Sequence, residues 1–348
     1  MIAFRDRPRN PRPNLFLSPL LLAAAAAVMT AAPAHAQTCQ TAADMDAPAR
    51  TALETTANRY FEMAAHGDAP ALKQNAIPSV AASFTGIESA VRENQAAFTD
   101  AKAIPRPPFL LDAEGPAPVP HSEFLCGVFG KNGQTKDSAV FVLNNLPSGK
   151  YGVIILDVRS IQGTKEPKTL TLILQQAASD WKLAGFFPRP THAAGHDALW
   201  FSERARDFKK KMQNHNAWLY YREAIYLSSP VDIMSTLSTD KLYDEAQTVE
   251  PTDVPVNGNT IDFTAGATVY HVTEIFPLAI AADLDVGVKY QAADVSNTAK
   301  AFQENTAVIK ALVSKFPEFR EAFAGVEARA VDPSGHDYGS LLPMKEIK

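Results

Sequence analysis

Two cysteines, one carboxylate on an apolar strand and two histidine-bearing stretches are the residues of this chain whose types and spacing could do chemistry. Cys39 and Cys126 are the only cysteines. An even pair in a chain with an export signal reads as one disulfide in an oxidising compartment. The alternative is two unrelated thiols, with Cys126 a small buried residue. Asp157 follows the apolar run Val153 to Leu156, so it is either a solvent-facing acid or a buried base. Strand alternation puts Val153, Ile155 and Asp157 on one face and Ile154, Leu156 and Val158 on the other. With Arg159 and Ser160 opening a turn, the expectation for Asp157 is a partly solvated rim position without catalytic duty. His192 and His196 stand four apart beside Asp197, a spacing that would suit a metal on a helix. No helix carries both rings, and Gly195 lies between them, so no metal site is expected and Asp197 is read as a helix N-cap. His336-Asp337-Tyr338 sits among glycines and reads as a solvated loop.

Other chemistries lack their motifs. There is no phosphate-cradling glycine loop before a helix, no Gly-x-Ser-x-Gly elbow, no His-Glu-x-x-His and no Cys-x-x-Cys, which disfavours nucleotide enzymes, common serine hydrolases and zinc proteases. No cofactor is expected. The formal charge is −5, and the chain without residues 1–36, which hold four arginines and Asp6, carries 29 basic and 37 acidic residues, a charge of −8. A modestly acidic chain has no electrostatic footprint for nucleic acid.

Arg5, Arg7, Arg9 and Arg12 precede an apolar run from Leu15 to Ala32, and Ala34-His35-Ala36 offers small residues at the cleavage-reading positions. This pattern reads as a signal peptide over 1–36, cut before Gln37. An uncleaved anchor is the alternative, because the run approaches the ~18 apolar residues that begin to suffice for spanning. Cleavage would leave no stable membrane span and a periplasmic or secreted protein.

The elements that must position these residues change character along the chain. Leu53, Ala57, Tyr60, Phe61 and Ala64 mark one helix face that Gly67 and Asp68 end. Shorter helices are expected over Pro70 to Ala76 and Gly86 to Asp100, with Pro105, Pro107 and Pro108 as a stop. Five strands then follow as a meander: Glu123 to Phe129, Ser138 to Leu143, Tyr151 to Val158, Lys168 to Gln175 and Trp181 to Phe187. Helices first and strands afterwards means α+β. Pro188 to His196 reads as an extended linker. Apolar spacing over Asp197 to Pro230 predicts two antiparallel helices broken at Gln213 to Asn216, and Val231 to Gln247 supplies one more helix. Strands at Thr260 to Phe263, Thr268 to Ile275 and Asp285 to Tyr290, a helix at Val295 to Lys315 and a strand at Phe323 to Val331 complete the pattern. A polar tail follows from Pro333.

Two resemblances accompany this reading. Ala205, Phe208, Ala217, Tyr221, Ala224 and Pro230 resemble the small and aromatic pattern of a single tetratricopeptide repeat; one repeat alone implies a structural bridge, since a peptide-binding surface needs several stacked copies. The helices-then-strands order, with Gly67-Asp68 closing the first helix and the strand from Trp181 to Pro188, resembles the nuclear-transport-factor-2-like superfamily, which includes SnoaL-like proteins. That resemblance implies a cone of curved sheet around a helix with an apolar pocket at its open end. Enzymatic members use Asp, His or Tyr inside the cone for acid/base work, so Tyr60, His66, Asp112, His121 and Asp157 become candidates, of which Asp157, Tyr60 and His121 are carried forward.

The expected organisation is therefore a signal peptide over 1–36, a cone-shaped domain over 37–190, a helical hairpin bridge over 191–250 and a small α+β domain over 251–348. The expected function is non-enzymatic binding of a small apolar ligand or another exported protein. A lyase or isomerase acting in the cone is the alternative.

Overall fold

The computed structural model describes residues 37–348 apart from 116, 164 and 257. The expected signal peptide lies outside the described residues, as does Asn257, which with Gly258 and Asn259 reads from the sequence as a turn. The chain is α+β. Strand β1 (Thr38–Thr41) comes first, followed by helices α1 (Ala47–Ala65), α2 (Ala69–Gln74), α3 (Pro78–Ala82) and α4 (Thr85–Phe98). In α1, Asp46 accepts from the Ala49 amide at 2.7 Å and Pro48 stands in the first turn, where its missing donor costs nothing. Gly67, at φ 71°, takes the left-handed turn that ends it.

Strands β2 (Ala101–Pro105), β3 (Phe109–Asp112), β4 (Val119–Gly130), β5 (Gly133–Leu146), β6 (Lys150–Ser160), β7 (Lys168–Ala177) and β8 (Asp180–Pro190) follow. The expected meander is corrected here, because these strands divide between two sheets. One has the order β1-β3-β6-β7-β8, with β2 also on β6; the hairpin β4–β5 belongs to another. The reason lies in burial on both faces of β6. Ile154, Leu156 and Val158 join Leu170, Leu172 and Leu174 of β7 under Leu53, Tyr60 and Phe61 of α1. Val153, with Tyr151 and Ile173, packs instead on Phe124, Cys126, Ala139 and Phe141 of the β4–β5 hairpin. A hairpin in plane with the sheet would leave that second apolar face in water, at about 25 cal/mol per Å². Gly152 lets α1 approach closely, since a Cβ there would lie 2.3 Å from Leu53 Cδ2.

The expected linker is also corrected. Strand β8 continues through Pro188 and Pro190, which oppose Leu170 and Lys168, and β9 (His192–Ala193) pairs with β10 (His196–Asp197) in a small ribbon. At its C-terminal end β8 pairs only with β7, and an edge strand tolerates proline because one side of its ladder asks for no donor.

Helices α5 (Ala198–Lys210) and α6 (Asn214–Ser228) form the antiparallel hairpin, followed by β11 (Met234–Thr236) and α7 (Leu237–Gln247). Asp197 caps α5 through the Trp200 amide at 2.9 Å. Strand β11 pairs with β5, giving the order β11-β5-β4. Strands β12 (Ile261–Ala265), β13 (Thr268–Ile280) and β14 (Asp283–Gln291), helices α8 (Thr298–Lys315) and α9 (Phe319–Ala322), and strands β15 (Gly325–Val331) and β16 (Asp337–Pro343) complete the chain. Their sheet runs in sequence order, with β14 and β15 parallel across the helical connection. The tail expected to be a polar loop is thus a strand from Asp337, paired along β15. One apolar core runs from Ala193 through the hairpin into this last sheet, ending at Ile347. Among the described residues no helix is long and apolar enough to cross a membrane.

Candidate functional site

The residues nominated by sequence do not converge. Asp157, with its side chain 28% exposed, takes a bidentate pair from Arg106, with Nη2 at 2.7 Å and Nε at 3.1 Å. Tyr60 is fully buried, and its hydroxyl donates to the Trp181 carbonyl at 2.8 Å; burial pushes its phenol up. His121 is exposed on β4, with Nδ1 2.9 Å from Asn144 Oδ1. His66 lies beyond the end of α1 beside the Glu62 carbonyl, and Asp112 accepts from the Glu114 amide. These side chains have separate partners.

Cys39 and Cys126 form a disulfide with Cα atoms 5.1 Å apart, tying β1 to β4. His192 meets Thr191, while His196 stacks on Trp200 with ring centroids 3.7 Å apart. Among the described residues no three metal-ligating side chains gather. At the far end of the chain Asp337 pairs with Arg329, and His336 with Asp332.

A different place brings chemistry together, at the C-terminal half of α6. Glu223 shares a helix face with Leu219 and Tyr220 one turn before it and Tyr226 and Leu227 one turn after. Leu219, Tyr220 and Leu227 are buried, and Tyr226 is half-buried against the same core. Glu223 therefore belongs to an apolar and aromatic stripe of the helix while keeping partial exposure to solvent. Burial pushes it up to about 7, with only the charge of Arg222 pulling the other way. Among the described residues no hydrogen bond stabilises either form of this carboxyl.

The sheet of β6, β7 and β8 meets the end of the same helix and the turn beyond it. Asp157, Thr169 and Arg189 oppose one another across β6, β7 and β8, so they form one row on one face. Arg189 continues from that row to α6, lying 4.7 Å over the Tyr226 ring and pairing with Asp232 in the turn beyond the helix. One step along the same face, Thr171 donates to the Pro230 carbonyl at 3.0 Å in a buried bond. On the other flank Arg222 lies 4.7 Å over the Trp218 ring and donates to the Ile275 carbonyl of β13 at 3.2 Å. Around the C-terminal half of α6 the structure thus gathers a carboxyl, two guanidinium groups held over aromatic faces, and aliphatic side chains.

Its signal was present in the sequence. An acid whose neighbours three and four positions away on both sides are Leu, Tyr, Tyr and Leu cannot be on the polar face of an amphipathic helix. Compared with family models, with curated proteins and with solved structures, the chain matches none.

Proposed function

We propose that this is an exported binding protein, not a catalyst, and that it holds a small, largely apolar ligand beside Glu223 on α6. The observation that carries the reading is the Glu223 carboxyl, desolvated among Leu219, Tyr220, Tyr226 and Leu227 and left by the described residues without a hydrogen-bonding partner. Such a group costs stability unless something is gained by keeping it. The separation of Asp157, Tyr60 and His121 supports binding over acid/base work by the groups that the family resemblance nominated.

The same proposal takes residues 37–190 as a nuclear-transport-factor-2-like unit, supported by α1 to α4 packing on one face of an antiparallel sheet whose ladder bulges between Ile173 and Leu174. It takes residues 191–250 as the helical bridge and 251–348 as the smaller α+β unit, the two sharing one core and the bridge also lending β11 to the sheet of β4 and β5. Export is supported by the disulfide, which suits an oxidising compartment. Intact-mass analysis of protein from outside the cytoplasm tests the address, with a chain beginning at Gln37 as the expected result. For binding, a thermal-shift series with small aliphatic and aromatic molecules should raise the melting temperature of the wild type and leave Glu223→Leu unmoved. A series in which no molecule shifts the wild type removes the proposal.

A further inference from the structure

His215, the second residue of α6, has a carboxylate on each ring nitrogen. Nδ1 lies 2.6 Å from Glu318 Oε1, and Nε2 lies 2.8 Å from Asp253 Oδ1. Glu318 is the residue before α9, and Asp253 belongs to the stretch between α7 and β12, so one imidazole joins three separate segments. The ring is set in place by Phe316 and Phe319, with centroids 4.3 Å and 6.4 Å away.

This geometry implies a proton count. A carboxylate accepts, and a neutral imidazole offers one N–H and one lone pair, so it serves one carboxylate and repels the other. Two short contacts therefore hold one proton more than a neutral ring between two carboxylates, and the imidazolium supplies it. Among the described residues no other cation pairs with either acid. Lys211 and Gln213 on the approach to α6 are taken by Glu321 of α9, and Lys315 at the end of α8 lies over the Phe263 and Phe316 rings, its charge reaching Asp253 without a contact. Arg320 of α9 donates to the Met344 and Ile347 carbonyls, and Arg204 of α5 lies over Phe208.

The surroundings decide which contact yields when the proton leaves. The Glu318 side chain is 21% exposed, and its backbone carbonyl accepts from Asn216 Nδ2 at 2.8 Å, which keeps it on the first turn of α6. The Asp253 side chain is 48% exposed, in a stretch that joins no strand ladder, and it turns to water at little cost. Val249 and Val254 of that stretch are buried in the shared core, so its release is a local opening and not a global one.

We infer that His215 is a proton-controlled fastener between the helical hairpin and the last unit: charged, it holds both acids, and neutral, it keeps Glu318 and lets the Asp253 segment open. The inference is independent of the ligand proposed beside Glu223.

The test is thermolysin cleavage within residues 249–259, read by mass spectrometry on the chain from Gln37 to Lys348 at pH 5.5 and pH 9, either side of the ordinary imidazole range. Each rate is divided by that of His215→Gln at the same pH, which cancels the protease's own pH response. The wild type should be cut about three-fold more slowly than His215→Gln at pH 5.5, the factor that a half-exposed ion pair supports, and at nearly the same rate at pH 9. Asp253→Asn and Glu318→Gln each replace one acceptor by an amide that suits either side of a neutral ring, so each should keep the slow rate at pH 9. A wild-type ratio equal at the two pH values, or Asp253→Asn cut as fast as the wild type at pH 9, overturns the fastener. Should His215→Gln not fold, the amide NMR shifts of Val254 and Val256 make the comparison without it: a step with pH in the wild type that is missing from Asp253→Asn is expected, and matching steps overturn the inference.

Discussion

The Arg189 guanidinium of β8 lies 4.7 Å above the ring of Tyr226 on α6 while it pairs with Asp232 in the turn that follows. One side chain of the sheet therefore grips both the helix and the segment leaving it. Arg189 is 10% exposed and Asp232 half-exposed, so the pair is worth more than a surface bridge and less than a buried one. Arg189→Ala should cost about 1–3 kcal/mol in urea unfolding. A double-mutant cycle with Tyr226→Leu should give a coupling of about 0.5–1 kcal/mol, and additive effects would remove the ring contact from the account.

Glu223 makes stability depend on pH in an unusual direction for a carboxylate. Its folded value of about 7 lies above the 4.5 of the unfolded chain, so between those values the folded state holds a proton that the unfolded state has released. Its contribution is fully present below about pH 4.5, declines as pH rises to about 7, and is level beyond. Relative to Glu223→Gln, the wild type should lose at most about 3 kcal/mol between pH 4.5 and pH 8. Urea midpoints of both proteins at the two pH values measure this, and parallel changes would contradict it.

The disulfide between Cys39 and Cys126 closes a separation of 87 residues. Restricting the unfolded chain over that span should contribute about 2–4 kcal/mol. Unfolding with and without a thiol reductant, and of Cys39→Ser with Cys126→Ser, should show that difference; coincident curves would remove it.

Asp157→Asn should be nearly silent. Its pair with Arg106 is open to solvent on both sides, so breaking it should cost less than about 1 kcal/mol. Urea midpoints of Asp157→Asn and wild type measure this, and a loss above about 2 kcal/mol would contradict it.

How far the sequence carried can be judged residue by residue. The two-faced character of β6 was legible, because Ile154 and Leu156 alternate with Val153 and Ile155, and both sets found a core or close cover. The hairpin of α5 and α6 was legible from apolar spacing and the Asp197 cap. What could not be read is which strands share a sheet. The pairing of Phe141 with Met234 joins positions far apart in the chain, and neither residue carries a local sign of the other. Pro188 and Pro190 misled for a different reason: their effect depends on whether a strand is at an edge, which is a property of the sheet. Glu223 was hidden by its type, since a single acid on a helix is read as surface until its neighbours are placed on a wheel.

Strand β11 gives the chain an order of events during synthesis. The edge of β5 from Ala139 to Phe141 finds its partner only at Met234 to Thr236, so when the β4–β5 hairpin leaves the ribosome that edge is still an open template, with donors, acceptors and an apolar face available to any other chain. A chain cut after Pro190 would hold that state permanently. The first half is therefore not a unit that can be borrowed alone: the last strand of its second sheet is delivered by residues beyond the helical hairpin, and until then it depends on being kept apart from its own copies.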